Sequence, residues 1–195
     1  DDKKSCIEDG IEKNVVLQRF HAIKQLRLIG VAAEKDVRVE IVRLALEKKD
    51  TGRAILVFVR SVEAAEKIAV ELSKNKSVGV EKIATLTGTL RGKERDCLVK
   101  FNAVFQRFLA PSYRSEEIEF ATGTVYLVAT SAGEVGVNLS AADLVCDLST
   151  YESMAQRFGR VNRFGENSDS TIAIVHAEDM QAKYDESLTK AKNAP

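Results

Sequence analysis

Short apolar runs alternate with longer helical segments along the chain from Arg53 onward. The clearest run covers residues 54–59, which are all apolar, as expected for a strand buried on both faces. Four further runs of this kind are predicted to be strands: Glu81–Thr85, Thr124–Ala129, Leu144–Leu148 and Thr171–Val175. Five strands that alternate with helices predict an α/β fold with a parallel sheet covered by helices.

The first fifty residues follow a different pattern. Apolar positions recur at helical spacing over Ile11–Ile29 and Glu34–Lys49, which predicts two helices. We therefore divide the chain into a helical linker or packing segment, 1–50, and an α/β domain, 51–195.

Composition narrows the class of protein. The 195 residues include 29 Lys and Arg against 29 Asp and Glu, and 45% are hydrophobic, as in soluble globular proteins. A domain that holds nucleic acid by bulk electrostatics usually carries a basic excess, so any nucleic-acid contact here is expected to be local. No apolar stretch is long enough to span a bilayer, and the polar first residues do not resemble a signal peptide, so we expect a cytoplasmic protein with no membrane partner.

The three cysteines give no sign of a metal site. Cys6, Cys97 and Cys146 lie far apart, with no CxxC pair and no neighbouring histidine. We expect neither a disulfide framework nor a bound metal in this chain.

The most informative segment is Gln156–Arg163, which reads QRFGRVNR. On a helix predicted over Glu152–Arg163, at about 100° per residue, one stripe carries Gln156, Arg160 and Arg163. The opposite, apolar stripe would pack on the sheet: Met154, Phe158 and Val161. Arg157 points to neither stripe, which suggests a separate role. Guanidinium groups one turn apart suit the neutralisation of phosphate charge, and the alternative is a solvated basic face.

This segment resembles motif VI of superfamily 2 helicases and translocases, whose general form is Q/H-R-x-G-R-x-x-R. Residues 128–138, VATSAGEVGVN, resemble motif V, a strand followed by A-T-x-x-x-x-x-G-x-D/N. Two weaker similarities agree: residues 56–61 with motif IV, and residues 86–89 with the phosphate-contact loop that follows it. The resemblance implies a second RecA-like domain, a three-layer α/β/α sandwich with N-terminal helices.

The resemblance also implies a nucleotide half-site. Arg160 and Arg163 would contact the γ-phosphate of ATP as arginine fingers, and Gln156 would help to position ATP or the attacking water. Gly136 and Asn138 would lie near the ribose.

A second half-site would hold nucleic acid. The residues implied in contacts with strand phosphates are Arg60, Ser61, Thr87, Gly88 and Thr130. Ser61 serves equally well as the N-cap of the following helix. Glu134, in the motif V loop, would link the nucleotide and nucleic-acid halves.

The segments SAGEVGVN, VCDLST and SMAQRFGRVNRFG are most similar to the helicase part of CRISPR-associated type I nuclease-helicases. This likeness implies an ATP-driven motor on single-stranded DNA, with a first RecA-like domain and a CRISPR surveillance complex as partners. ATP would bind with Mg²⁺, and the first domain would hold the metal, because the sequence contains no complete phosphate-binding loop and no Asp-Glu pair after an apolar strand. We therefore expect the isolated chain to be inactive.

Two alternatives remain at this stage. One is a RecA-like regulatory or protein-interaction module without a catalytic role. The other is a small-molecule α/β enzyme, which is disfavoured because no nucleophile–base pair and no dinucleotide fingerprint occurs.

Overall fold

The computed structural model describes residues 17, 19, 21–89, 92–109, 114, 118–131 and 138–179. Within these ranges the strands are β1 (Lys24–Val31), β2 (Ala54–Phe58), β3 (Ile83–Leu86), β4 (Val125–Ala129), β5 (Asp143–Asp147) and β6 (Ser170–Ala177). The α-helices are α1 (Glu34–Glu47), α2 (Val62–Ser73), α3 (Gly92–Phe101), α4 (Ala103–Gln106) and α5 (Tyr151–Phe158). A short 3₁₀ turn, Val80–Lys82, precedes β3.

The strands form a single sheet in the order β1-β6-β5-β2-β4-β3, and each neighbouring pair is parallel. Every residue of β2, β4 and β5 is buried. Their continuous apolar runs are therefore explained by layers that cover the sheet on both sides. The predicted α/β class is confirmed.

Alternation along β2 shows the two layers. Ile55 and Val57 point into a core shared with α1 and α2, which includes Ile41 and Ile68. Leu56 and Phe58 point into a second core, on the other face, with Phe105 of α4 and Met154 of α5. Successive side chains of a strand face opposite ways, so the molecule is the three-layer α/β/α sandwich that the RecA-like prediction required.

The prediction of a helix over Ile11–Ile29 is wrong for residues 24–29. These residues belong to β1, which pairs with β6 from Lys24↔Ser170 to Val31↔Ala177. Leu26 and Leu28 remain more than half exposed, because β1 lies at the edge of the sheet. Backbone pairing with a distant strand, rather than burial of its own side chains, determines the extended conformation here.

Strands β2 to β6 were predicted within a few residues of their bounds, whereas the helix predicted over Glu152–Arg163 is too long. The helix predicted over Glu34–Lys49 is α1, and it packs on the sheet through Val37, Ile41 and Leu44. The division of the chain at residue 50 stays a prediction. The last helix, predicted near Met180–Ala191, lies outside the described residues. No helix in the described part has the length and apolar content needed to cross a bilayer.

Candidate functional site

The residues predicted to contact a nucleic-acid strand lie at one edge of the sheet, at the ends of three adjacent β-strands. Arg60 and Ser61 follow β2, Thr130 follows β4, and Thr87 and Gly88 follow β3. Main-chain hydrogen bonds keep these strand ends in register, because the N–H of Thr130 donates to Leu86 O at 3.1 Å. The structure thus gathers all five residues at the carboxyl edge, where open α/β sheets bind ligands.

Arg60 is already engaged by carboxylates. Its Nε lies 3.2 Å from Asp147 Oδ2, and its Nη2 lies 2.5 Å from Glu34 Oε1. Arg60 is also half exposed. A phosphate would therefore compete with these carboxylates, and the more exposed Glu34 is the easier of the two to displace.

Ser61 is the N-cap of α2, since its Oγ accepts a hydrogen bond from Ala64 N at 3.1 Å. A hydroxyl that accepts in this way still has its own proton to donate. The capping role and the predicted phosphate contact are therefore chemically compatible.

The two threonines predicted at this edge, Thr87 and Thr130, are buried. Thr130 lies at the end of β4, and the Oγ1 atoms of Thr87 and Thr89 lie 2.8 Å apart and share a hydrogen bond. Gly88 is open, because a Cβ built there would have no neighbour within 4 Å. At this point of the edge, the accessible main chain of Gly88 offers the easiest approach for a strand phosphate.

The other group of predicted residues meets near the amino edge of the sheet. Residues 140–141 run beside residues 160–163, and three hydrogen bonds join the two segments. Ala141 N donates to Arg160 O at 2.8 Å, and Asn162 N donates to Ala141 O at 2.8 Å. Arg163 N donates to Ser140 Oγ at 3.2 Å. The end of the motif V segment and the end of the motif VI segment are thus in direct contact.

The predicted helix over Glu152–Arg163 is too long, so the single stripe of Gln156, Arg160 and Arg163 is wrong as a helical feature. α5 ends at Phe158, and Val161 instead pairs with Ala141 as an isolated parallel bridge. Asn162 has a φ of 43°, in the left-handed region, and its side chain bonds to Asn167 N and O at 3.0 and 2.6 Å. The pairing of Val161 and Asn162 with Ala141, together with these local side-chain bonds, replaces continued helical bonds.

The two arginines nevertheless stay close to one another. Burial and the neighbouring charge of Arg163 lower the pKa of Arg160 from its usual range. Arg160 is half-buried, Arg163 is exposed, and Gln156 is exposed on α5. Two adjacent positive side chains on this surface favour an anion between them.

Asn138 carries an orphaned acceptor at the same place. Its Oδ1 is buried and has no hydrogen-bond partner in the described part of the chain. A buried acceptor without a donor is costly, so this atom fits a ligand that presents a hydroxyl group after a small local movement. Gly136 and Glu134, predicted next to it, lie outside the described residues.

A cleft beside Ser140 adds to the positive character of this region. It has a volume of about 200 Å³, and Arg53, Arg107 and Arg114 line it. The Nη1 of Arg107 donates to two main-chain carbonyls at 2.8 and 3.1 Å. Burial and the charge of Arg114 lower the pKa of Arg107.

Sequence reasoning missed two buried aspartates, at the two ends of β5. Asp147 Oδ1 accepts from Arg157 Nη1 at 3.0 Å, and Arg157 is only 1% exposed. Asp143 Oδ1 accepts from Thr171 N and from Thr171 Oγ1, both at 2.7 Å. The available signal was a charged residue at each end of an otherwise apolar run, since buried charges require partners.

Comparison with known proteins identifies the family and supports the fold. The model of the helicase conserved C-terminal domain matches residues 36–165. The C-terminal domain of the DEAD-box protein Dbp5 is similar over 90% of this chain and 89% of its own, at 20% identity and a TM-score of 0.56. A search of curated protein sequences finds no match.

Two larger proteins share the fold over a small part of their length. The Cas3-ATP structure from T. fusca matches 79% of this chain at 15% identity and a TM-score of 0.60, but only 18% of its own chain. The DUF1998 helicase MrfA bound to DNA and AMPPNP matches 85% of this chain and 22% of its own, at 21% identity and a TM-score of 0.58. Since the domain model covers more than half of the sequence, the chain belongs to the helicase conserved C-terminal domain family, the second RecA-like domain of superfamily 2 helicases.

Proposed function

We propose that the chain is the second motor domain of an ATP-dependent superfamily 2 DNA helicase or translocase, in a CRISPR type I interference nuclease-helicase. The observation that carries the proposal is the contact between residues 140–141 and 160–163. The buried acceptor of Asn138 lies two residues before this contact, and the residues proposed to hold the nucleic acid follow strands β2, β3 and β4.

The residues near the amino edge fit a bound nucleotide. Asn138 Oδ1 would accept a hydrogen bond from a ribose hydroxyl, and Gly136 would allow close approach of the main chain. Arg160 and Arg163 would donate to the terminal phosphate and stabilise its charge, and Gln156 would orient the phosphate or a water beside it. ATP supplies the transferable phosphoryl group, and its magnesium ion would be held by the first RecA-like domain.

The residues at the carboxyl edge would hold single-stranded DNA. Arg60 would exchange Glu34 for a phosphate, and the free proton of Ser61 would reach the same strand. The main chain at Gly88 and Thr130 at the end of β4 would contact the next phosphates of the nucleic-acid strand. Thr87 would stabilise the loop through its hydrogen bond with Thr89. Glu134 would connect this edge to the nucleotide residues.

The structural likeness to Cas3 and the residue sequences of motifs V and VI support the CRISPR assignment. Under this proposal the partners are the first RecA-like domain of the same motor, single-stranded DNA and a CRISPR surveillance complex. Closure of the two domains would bring Arg160 and Arg163 onto the nucleotide, and reopening would move the strand.

Substitution of an arginine tests the proposal. With the first RecA-like domain supplied, DNA-stimulated ATP hydrolysis should fall by about 10³-fold or more in Arg163→Ala, as expected for an arginine finger. Arg43→Ala is the matched control, because Arg43 pairs only with surface glutamates of α1 among the residues described. Equal turnover of the two variants would instead favour the regulatory or protein-interaction module.

A further inference from the structure

The carboxylate of Asp147 binds a different arginine through each of its oxygens. Oδ2 accepts from Arg60 N at 2.9 Å and from Arg60 Nε at 3.2 Å. Oδ1 accepts from Arg157 Nη1 at 3.0 Å. One side chain therefore connects the loop after β2 with helix α5.

The Arg157 half of this connection is rigid. Asp147 is 5% exposed and Arg157 is 1% exposed. The same Arg157 Nη1 also donates to the main-chain oxygen of Asp147 at 3.0 Å, and its guanidinium lies 5.2 Å from the centre of the Phe58 ring. Separating a buried ion pair is costly, so Asp147 and Arg157 will move together or not at all.

The Arg60 half is adjustable. Its guanidinium is half exposed, and its outer end bonds to Glu34, which is itself exposed. Exposed ion pairs contribute little to stability, so a phosphate can draw this guanidinium away at small cost. Such a movement changes the bond from Arg60 Nε to Asp147 while leaving the bond from Arg157 in place.

We infer that Asp147 is a positioning residue that transmits the binding of a nucleic-acid phosphate at Arg60 to α5. This inference rests on the proposed function, in which Arg60 contacts the strand. α5 continues directly into the turn that carries Arg160, so a change at Arg157 reaches the proposed nucleotide residues through one helical turn. Asp147 touches neither ligand and acts through the two arginines.

The first measurement establishes the strand contact in the intact 195-residue chain. A 15-nucleotide oligodeoxythymidine is titrated at several salt concentrations. Arg60→Met should weaken binding and reduce the slope of log affinity against log salt by about 0.7, the value for one phosphate contact on a single strand. An unchanged slope would overturn the proposed role of Arg60 and, with it, this inference.

The second measurement tests the relay itself. Backbone amide resonances of Gln156 and Gly159 are followed while the same oligonucleotide is added. They should move in the unsubstituted chain and in Glu34→Gln, which removes the other carboxylate from the same guanidinium. In the double variant Asp147→Asn/Arg157→Gln, which leaves no lone buried charge, the movement should be lost while DNA still binds.

The outcomes separate the two proposals. DNA binding without any movement of these resonances in the unsubstituted chain would overturn the relay and leave the strand site intact. Movement that persists in the double variant would overturn it as well. Loss of movement in Glu34→Gln would also overturn the relay, because it would show that the bond from Arg60 to Glu34, and not the bond to Asp147, carries the effect.

Discussion

Strand β5 begins and ends with a buried aspartate, and the two lie at opposite edges of the sheet. Asp143, at the amino edge, accepts hydrogen bonds from the N–H and hydroxyl of Thr171. Its charged partners are Arg53 at 3.4 Å and Lys48 at 3.7 Å, both on partly exposed side chains. Asp147, at the carboxyl edge, faces one half-exposed arginine and one fully buried arginine.

The difference shows what each edge requires of its carboxylate. At the amino edge the aspartate holds strand β6 through the neutral donors of Thr171, and its cationic partners Lys48 and Arg53 are partly exposed to solvent. At the carboxyl edge the aspartate bonds to a guanidinium that is only 1% exposed, so loss of its charge is expected to be costly. Identical residues four positions apart thus act as a hydrogen-bond acceptor and as a counter-ion.

The largest effect is expected from removing the buried arginine. Arg157→Leu leaves Asp147 with only the half-exposed Arg60, and the free energy of unfolding should fall by about 3 kcal/mol or more. Urea denaturation at neutral pH measures this change. The control Arg43→Leu, on the exposed face of α1, should stay within about 1 kcal/mol of the parent chain. Equal losses in the two variants would contradict the assignment of Asp147 as a counter-ion.

A smaller effect is expected at the amino edge. Asp143→Ala leaves both donors of Thr171 without an acceptor and should lower the free energy of unfolding by about 2 kcal/mol. Asp143→Asn should recover most of that loss, because the amide oxygen can still accept. Asp147→Asn should recover little relative to Asp147→Ala, because Arg157 keeps its charge. If asparagine served equally well at both positions, the distinction between the two edges would fail.

The smallest effect concerns Ser61. Ser61→Ala removes the N-cap of α2 and should cost about 1 kcal/mol, whereas Ser61→Asp keeps a capping oxygen and should restore stability. The aspartate would repel a strand phosphate, so we expect oligonucleotide affinity to fall further in Ser61→Asp than in Ser61→Ala. Unchanged affinity in Ser61→Asp would indicate that Ser61 is a helix cap and nothing more.

The central strands could be predicted from sequence because each is a continuous apolar run whose burial on two faces is a local property. The same holds for α1, where apolar residues at helical spacing meet the sheet. β1 could not be predicted in this way, because its alternating residues stay exposed and only its pairing with β6 makes it a strand. Nonlocal pairing leaves no trace in a window of neighbouring residues.

The residues of the site stay predictions, and their geometry was predictable only in part. The motifs grouped Asn138 with Arg160 and Arg163, and the structure shows contacts between residues 140–141 and 160–163. The end of α5 was missed because part of its cause, the pairing of Val161 and Asn162 with Ala141 ahead of β5, is again nonlocal. The partners of Arg60 and Arg157 were missed for the same reason.

The exposed edge strand β1 also has a consequence for how the chain is made. Lys24 pairs with Ser170, so β1 leaves the ribosome long before its partner β6 exists. At roughly 5–20 residues per second, the interval is on the order of ten seconds. Closing a loop of this length costs about 4 kcal/mol of chain entropy, which strand pairing must repay in a single late step. Until then the backbone of β1 is unpaired and available to other chains, so folding during synthesis will be most sensitive to crowding at this strand.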